Sequence, residues 1–158
     1  MKKKFSFLKS IILIFLISNC GFKVVDQSKL INFKVDSISI SGDNRVSYII
    51  KNKLLPYSKN NEKKIINLDI EVKKTKDIKE KNIKNEITKY EIIIKTKVDY
   101  DVLFHNKKGH FTVTKIGNYK VESQYSQTLI NEDNLIDDLR EKLAEDIQEN
   151  LSVLTNDL

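Results

Sequence analysis

The sequence contains one cysteine, one proline, four glycines and no tryptophan in 158 residues. A lone cysteine excludes an intramolecular disulfide, and four dispersed glycines exclude a glycine-rich phosphate loop. The two histidines, His105 and His110, have no cysteine or paired carboxylate at metal-ligand spacing. Ser37, Ser39 and Ser41 lack a nucleophile motif such as Gly-x-Ser-x-Gly. We therefore expect no catalytic residue, no metal site and no cofactor, and we predict that the protein is not an enzyme.

An excess of positive charge is confined to the start of the chain. The formal net charge is +6, but four of the 28 Lys and Arg residues lie at positions 2, 3, 4 and 9. The other 24 stand against 22 acidic residues, which leaves only +2 for the rest of the chain. We therefore predict no binding to nucleic acid, because that function needs a large basic surface.

The first 20 residues are the most informative part of the sequence. Lysines precede the apolar run Ile11–Ile17, and Ser18 and Asn19 then lead into Cys20. A basic start, an apolar stretch and a short approach to a cleavage site are typical of a secretory signal peptide. The pattern Ile17-Ser18-Asn19-Cys20 resembles a bacterial lipobox, although Asn19 stands where Gly, Ala or Ser is usual. We predict that Cys20 becomes the mature amino terminus and carries a diacylglycerol on its sulfur and an acyl chain such as palmitate on its nitrogen.

The alternatives to this interpretation are a non-lipidated signal or anchor and a soluble amphipathic segment. A membrane-spanning helix needs about 20 apolar residues. The run here is interrupted by Lys9 and Ser10 and ends before Asn19, so it is too short. The predicted organisation is a signal peptide over residues 1–19, a lipidated tether over 20–30 and a single domain over 31–158.

Alternation of apolar and polar residues predicts four strands, since side chains in a strand point to opposite faces in turn. They cover residues 31–41, 66–73, 90–104 and 111–125, and the first has a bulge near Asp36-Ser37, where the pattern changes face. A second bulge is predicted at Lys115-Ile116. Residues 73–85 are predicted to form a charged connector, and 106–109 a hairpin turn with Gly109 at positive φ.

Two helices are predicted from apolar residues at helical spacing. The first follows an Asp43-Asn44 cap, begins near Val46 and stops at Pro56. The second covers residues 132–154, with Asn131 and Asp133 as N-cap candidates. Its apolar stripe consists of Leu135, Leu139, Leu143, Ile147, Leu151 and Leu154.

The order of the predicted elements is β-α-β-β-β-α. Each strand has one apolar face and each helix one apolar stripe, and packing these surfaces together buries both. The predicted fold class is therefore α+β: a two-layer sandwich with two helices on one face of a four-stranded, mostly antiparallel sheet.

The residues also resemble a known family. The start Cys20-Gly21-Phe22, the element order and three later segments are similar to the LPS-assembly lipoprotein family (LptE). Those segments are Gly117–Val121, Tyr125–Leu129 and the Leu-Ala-x-x-Ile pattern that begins at Leu143. The resemblance implies a non-enzymatic lipoprotein anchored to the outer membrane and facing the periplasm. Its expected partners are lipopolysaccharide and an LptD-type β-barrel, which it plugs and helps to assemble for lipopolysaccharide delivery to the cell surface.

Lysines are the expected contacts to lipopolysaccharide. Under this resemblance the candidates are Lys95, Lys97, Lys107 and Lys108. The lysine-rich stretch 73–81 offers a further meeting point with anionic lipid, but its interleaved acidic residues favour a solvated loop. Two other functions stay open: an accessory lipoprotein of another envelope lipid-transport complex, and a periplasmic ligand-binding module.

Overall fold

The computed structural model describes residues 33–59, 64–104 and 106–156. The predicted signal peptide, the tether and Cys20 lie outside these ranges. The elements in chain order are β1 (Phe33–Gly42), α1 (Asn44–Leu54), a 3-10 turn (Leu55–Lys59), β2 (Lys64–Lys81), β3 (Ile87–Val102), β4 (Lys107–Lys120) and α2 (Tyr125–Asn156). The predicted order β-α-β-β-β-α and the α+β class are confirmed.

The four strands form one mixed sheet in the order β1-β2-β3-β4. β1 is parallel to β2, and the two remaining pairs are antiparallel. A parallel pair needs a crossover connection, which α1 provides, whereas antiparallel neighbours need only short turns. Both helices pack on the same face of this sheet and share its core.

The core lies between the helices and the apolar face of the sheet. In β3 the alternation is strict, with Ile92, Ile94, Thr96 and Val98 buried. Most of the predicted stripe of α2 lies in the core. Its buried members are Leu139, Leu143, Ile147 and Leu151. Burial of apolar surface contributes about 25 cal/mol per Å², so α2 is an integral part of the fold.

Local signals at the start of the domain are confirmed. The β1–β2 register shifts between Val35 and Ser37, as the change of face predicts. Asp43 caps α1, because its Oδ1 accepts a hydrogen bond from the Val46 amide at 3.1 Å. The α-helix ends at Leu54, just before Pro56.

The predicted charged connector over residues 73–85 is wrong for most of its length. β2 continues to Lys81, and only the turn between Lys81 and Ile87 is loop. Alternation disappears here because the outer part of this hairpin is solvated on both sides, yet its backbone still pairs with β3. The Asn82 side chain holds the turn by accepting from the amides of Lys84 and Glu86 at 2.9 and 3.0 Å.

The second hairpin turn also differs from the prediction. β4 begins at Lys107, and the positive φ values belong to Phe104 and Asn106 rather than to Gly109. Phe104, the last residue of the predicted third strand, lies in this turn and is 86% exposed. Gly109 instead lies opposite Tyr100, where an added Cβ would come within 2.5 Å of the Tyr100 hydroxyl.

The predicted bulge at Lys115-Ile116 is absent from the β3–β4 pair, which stays in register along its whole length. Lys115 interrupts the apolar pattern because it lies on the helix side and forms an ion pair with Asp146 at 2.7 Å.

α2 begins at Tyr125, seven residues before the predicted start. Asn131 and Asp133 are therefore interior residues of the helix and not caps. The first turns of α2 were not predicted from the sequence, because Leu129 and Ile130 are exposed there and do not extend the apolar stripe. Within the residues that the structure describes, neither helix combines the length and apolar character that crossing a bilayer requires.

Candidate functional site

The sheet face opposite the helices is not covered by any element that the structure describes, and it carries three of the four lysines that were expected to bind lipopolysaccharide: Lys95, Lys97 and Lys108. We call it the open face. Its side chains form rows across neighbouring strands, because residues paired in register project side by side. Each row has one residue from β2, one from β3 and one from β4. Starting at the end of the sheet where β1 and β2 begin, the rows are Asn67-Asp101-Lys108, Asp69-Asp99-His110, Glu71-Lys97-Thr112, Lys73-Lys95-Thr114 and Thr75-Ile93-Ile116.

The first two rows form a shallow polar groove of about 590 Å³. Ser37 and Ser39 of β1 border it, and the carboxylates of Asp69, Asp99 and Asp101 line it. Lys108 forms an ion pair with Asp101 at 2.8 Å. The described residues include no group of three or more His, Cys, Asp or Glu side chains arranged to hold a metal ion.

The next two rows form a smaller, basic depression of about 260 Å³. Glu71, Lys73, Lys95, Lys97 and Thr112 line it. Lys97 is bound to Asp99 at 2.9 Å, and this hydrogen bond raises the pKa of Lys97. Lys73 and Lys95 are direct cross-strand partners. Both are exposed, and neither forms an ion pair with any residue that the structure describes.

The predicted contact residues are thus partly brought together. Lys95 and Lys97 share the basic depression, and Lys108 lies on the same face near the acidic groove. Lys107 is half-buried opposite Val102 and belongs to the helix side of the sheet. Lys73 was not among the four candidate contacts, although it belongs to the stretch 73–81 that was considered as a meeting point with anionic lipid. The alternation that ends at Val72 already placed Lys73 on the polar face of the predicted strand, but its position opposite Lys95 follows only from the strand register.

A second polar cluster lies on the helix side, where β2 extends beyond the core. We call it the Lys76 cluster, and it consists of Lys76, Tyr90, Tyr119 and Glu132. The Lys76 ammonium lies 2.6 Å from Glu132 Oε2 and 4.5 Å from the Tyr90 ring centre. The Tyr119 hydroxyl donates to the same Glu132 oxygen at 2.7 Å. The cluster therefore fastens the start of α2 to β2 and β4.

Burial and hydrogen bonds in this cluster shift the pKa values of Glu132 and Tyr119. Partial burial alone would raise the pKa of Glu132, but the hydrogen bonds from Lys76 and Tyr119 outweigh it and lower that pKa. Burial and the hydrogen bond to Glu132 raise the pKa of Tyr119 to about 12. Near neutral pH the carboxylate is thus ionised and the phenol protonated, which is a structural bridge and not an acid–base pair.

Solved structures of bacterial lipoproteins share this fold. Rare lipoprotein B from Shewanella oneidensis aligns with a TM-score of 0.61 at 11% identity, over 77% of this chain and 97% of that one. Uncharacterized lipoprotein B from Nitrosomonas europaea aligns with a TM-score of 0.60 at 15% identity, over 86% and 93%. A minor lipoprotein from Acinetobacter baumannii gives 0.50 at 16% identity, over 77% and 94%. The sequence itself matches neither a protein-family model nor a curated protein. At these identities the likeness shows the fold: this chain has the fold of those lipoproteins.

Proposed function

We propose that this protein is a lipid-anchored lipoprotein of the outer membrane that plugs and helps to assemble an LptD-type β-barrel translocon for lipopolysaccharide delivery. The observation that carries the proposal is the coincidence of two independent features. One is the Cys20 lipobox-like pattern, and the other is a fold shared with rare lipoprotein B along 97% of that chain.

The open face supports the plug role on physical grounds. The interior of a large membrane β-barrel is polar. A wide sheet face with charged rows suits such a lumen, while the filled core on its other side makes the domain rigid. The proposed role is binding and positioning rather than chemistry, and it involves no cofactor beyond the lipid on Cys20. Lys95 is the proposed contact to lipopolysaccharide phosphates. Lys97 and Lys108 are weaker candidates, because Asp99 and Asp101 neutralise them.

Isolation of the complex tests the partner. The full-length protein, affinity-tagged at its C-terminus and extracted in mild detergent, should co-purify with a large outer-membrane barrel protein. Depletion of the protein should then lower the amount of lipopolysaccharide at the cell surface. Isolation as a lone species, with unchanged surface lipopolysaccharide after depletion, would contradict the proposal. Capture of inner-membrane transport subunits instead would favour another envelope lipid-transport complex.

Substitution of the proposed anchor residue tests the attachment. Cys20→Ala should abolish labelling by radioactive palmitate and leave unprocessed or mislocalised protein, because the acceptor thiol is gone. Ser18→Ala, two residues earlier, is the matched control and should still be labelled. Palmitate on the Cys20→Ala protein would show that the anchor lies elsewhere.

A further inference from the structure

The β3–β4 turn presents an aromatic side chain to solvent in a strained backbone conformation. Phe104 is exposed, and its φ of +66° lies in the left-handed region. A bulky residue rarely adopts this region, because its Cβ crowds the backbone there. Such strain occurs preferentially at functional positions, where the surrounding structure maintains it. Within the domain, the aromatic ring gains no burial in return for this strain.

Phe104 lies at the end of the sheet where the chain enters the domain. The Leu103 amide donates to the Ile65 carbonyl at 2.8 Å, which places the turn beside the start of β2. Phe33 pairs with the start of β2 from the other side and is the described residue nearest to Cys20 in the sequence. The turn and this entry point are therefore about two strand spacings apart, or about 10 Å.

Two further exposed apolar side chains belong to segments at the same end of the sheet. Leu55 begins the 3-10 turn, whose Tyr57 ring packs on Phe33 with 5.5 Å between the ring centres. Val153 lies in the last turns of α2, which the Lys64 side chain joins to the start of β2. Leu55 is 43% exposed and Val153 is 56% exposed. Exposed apolar side chains from three separate segments therefore meet at one end of the sheet.

We propose that this end of the domain docks on the surface of the bilayer that holds the lipid of Cys20, with the Phe104 ring inserted and Leu55 and Val153 beside it. Apolar side chains at a membrane surface bury themselves at the boundary between headgroups and acyl chains. A bilayer is the occupant that the sequence favours, because only residues 21–32 separate Cys20 from the first described residue of the domain. The inference rests on the proposed function for the lipid anchor. The anchor supplies the affinity, and the docked ring sets the orientation of the domain.

The absence of tryptophan from the sequence allows a direct test of docking. The mature lipidated protein is reconstituted in phosphatidylcholine vesicles, with or without brominated acyl chains. We expect the brominated lipid to quench the fluorescence of Phe104→Trp about twofold, since the ring lies among the lipids. Ile83→Trp is the matched control. Ile83 is fully exposed in the β2–β3 turn, at the opposite end of the sheet, and its variant should not be quenched.

A glycine variant separates docking from a structural role of Phe104. Glycine adopts a positive φ without strain, so Phe104→Gly should unfold at the same urea concentration as wild type or a higher one. It should nevertheless lose the docked orientation. Brominated lipid should therefore quench Leu55→Trp/Phe104→Gly about twofold less than Leu55→Trp alone. A lower urea midpoint for Phe104→Gly would assign the side chain to the fold and contradict the inference.

Flotation of the vesicles shows separately whether the protein is anchored. If the protein floats, equal quenching of Phe104→Trp and Ile83→Trp, or quenching of neither, would overturn the docked orientation and leave the proposed function intact. A wild-type protein that fails to float would remove the anchor and with it the inference. Selective quenching of Phe104→Trp in a protein that never captures a barrel partner would contradict the proposed function alone.

Discussion

Two buried threonines show how single hydroxyl groups affect this fold. Thr96 lies at the centre of the sheet between Val72 and Val113, and its Oγ1 has no hydrogen-bond partner among the described residues. Thr128 of α2 accepts from the Glu122 amide at 2.8 Å. A buried hydroxyl without a partner lowers stability, whereas a bonded one raises it.

Replacing each threonine by valine should therefore have opposite effects. Thr96→Val is expected to raise the free energy of unfolding by about 1 kcal/mol, because it removes an unpaired polar atom from the core. Thr128→Val should lower it by about 1 kcal/mol, because the Glu122 amide loses its acceptor. Urea unfolding of both variants beside wild type measures the difference. A lower midpoint for Thr96→Val would show that its hydroxyl is satisfied after all.

Residues whose role depends on near neighbours in the chain were predicted well. Asp43 was recognised as a cap because its partner, Val46, lies three residues away. Gly109 was misread because the reason for a glycine there is Tyr100, a residue of the neighbouring strand. Lys73 was missed for the same reason, since its position opposite Lys95 follows from strand register and not from its own surroundings.

At the scale of elements, burial decided which strands and helices could be read from the sequence. β3 was evident because every second side chain from Ile92 to Val98 is buried. The outer half of β2 was not, because polar residues there occupy both faces. Lys74 and Lys76 point to the helix side, where they form ion pairs with Asp43 and Glu132, respectively. Glu132 lies 56 residues beyond Lys76, so no local sequence pattern predicts their contact.

Because of the Lys76 cluster, we expect the free energy of unfolding to decrease at acidic pH. Folding lowers the pKa of Glu132 below its ordinary 4.5, so its contribution is complete above pH 4.5 and is lost as the pH falls through the folded pKa. Glu132→Gln should consequently be less stable than wild type at pH 7, and the difference should vanish on acidification. Thermal unfolding between neutral and strongly acidic pH measures it.

Glu149→Gln is the control for this pH dependence. Glu149 is an exposed residue of the same helix, so its replacement should leave the unfolding curve nearly unchanged. A wild-type advantage over Glu132→Gln that stays constant down to strongly acidic pH would contradict the linkage.

The molecule as a whole combines two unlike surfaces of one sheet. One is covered by the helices and forms the core, and the other is not covered by any element that the structure describes. Sequence periodicity predicted the covered surface, because burial imposes a period of two on strands and of 3.6 on helices. The rows of the open face could not be predicted, because they require the register of β2, β3 and β4.

Backbone protection should differ among the strands. Among the strands that the structure describes, β2 and β3 each have hydrogen-bonded neighbours on both sides, whereas β1 has only β2. Amides of β1 should therefore exchange with solvent water sooner than those of β3, since local opening needs fewer broken contacts. Hydrogen–deuterium exchange of the native protein measures this, with β4, an edge strand under α2, for comparison. Equal protection of β1 and β3 would contradict it.

The parallel pairing of β1 also sets an order of assembly. Phe33 pairs with Lys64, 31 positions later, whereas β2, β3 and β4 meet through short turns. Contacts between near neighbours form faster, because closing a long loop costs more entropy. We therefore expect β2, β3 and β4 to form the folding nucleus. β1 is synthesised before them but can complete its pairing only after β2 is present.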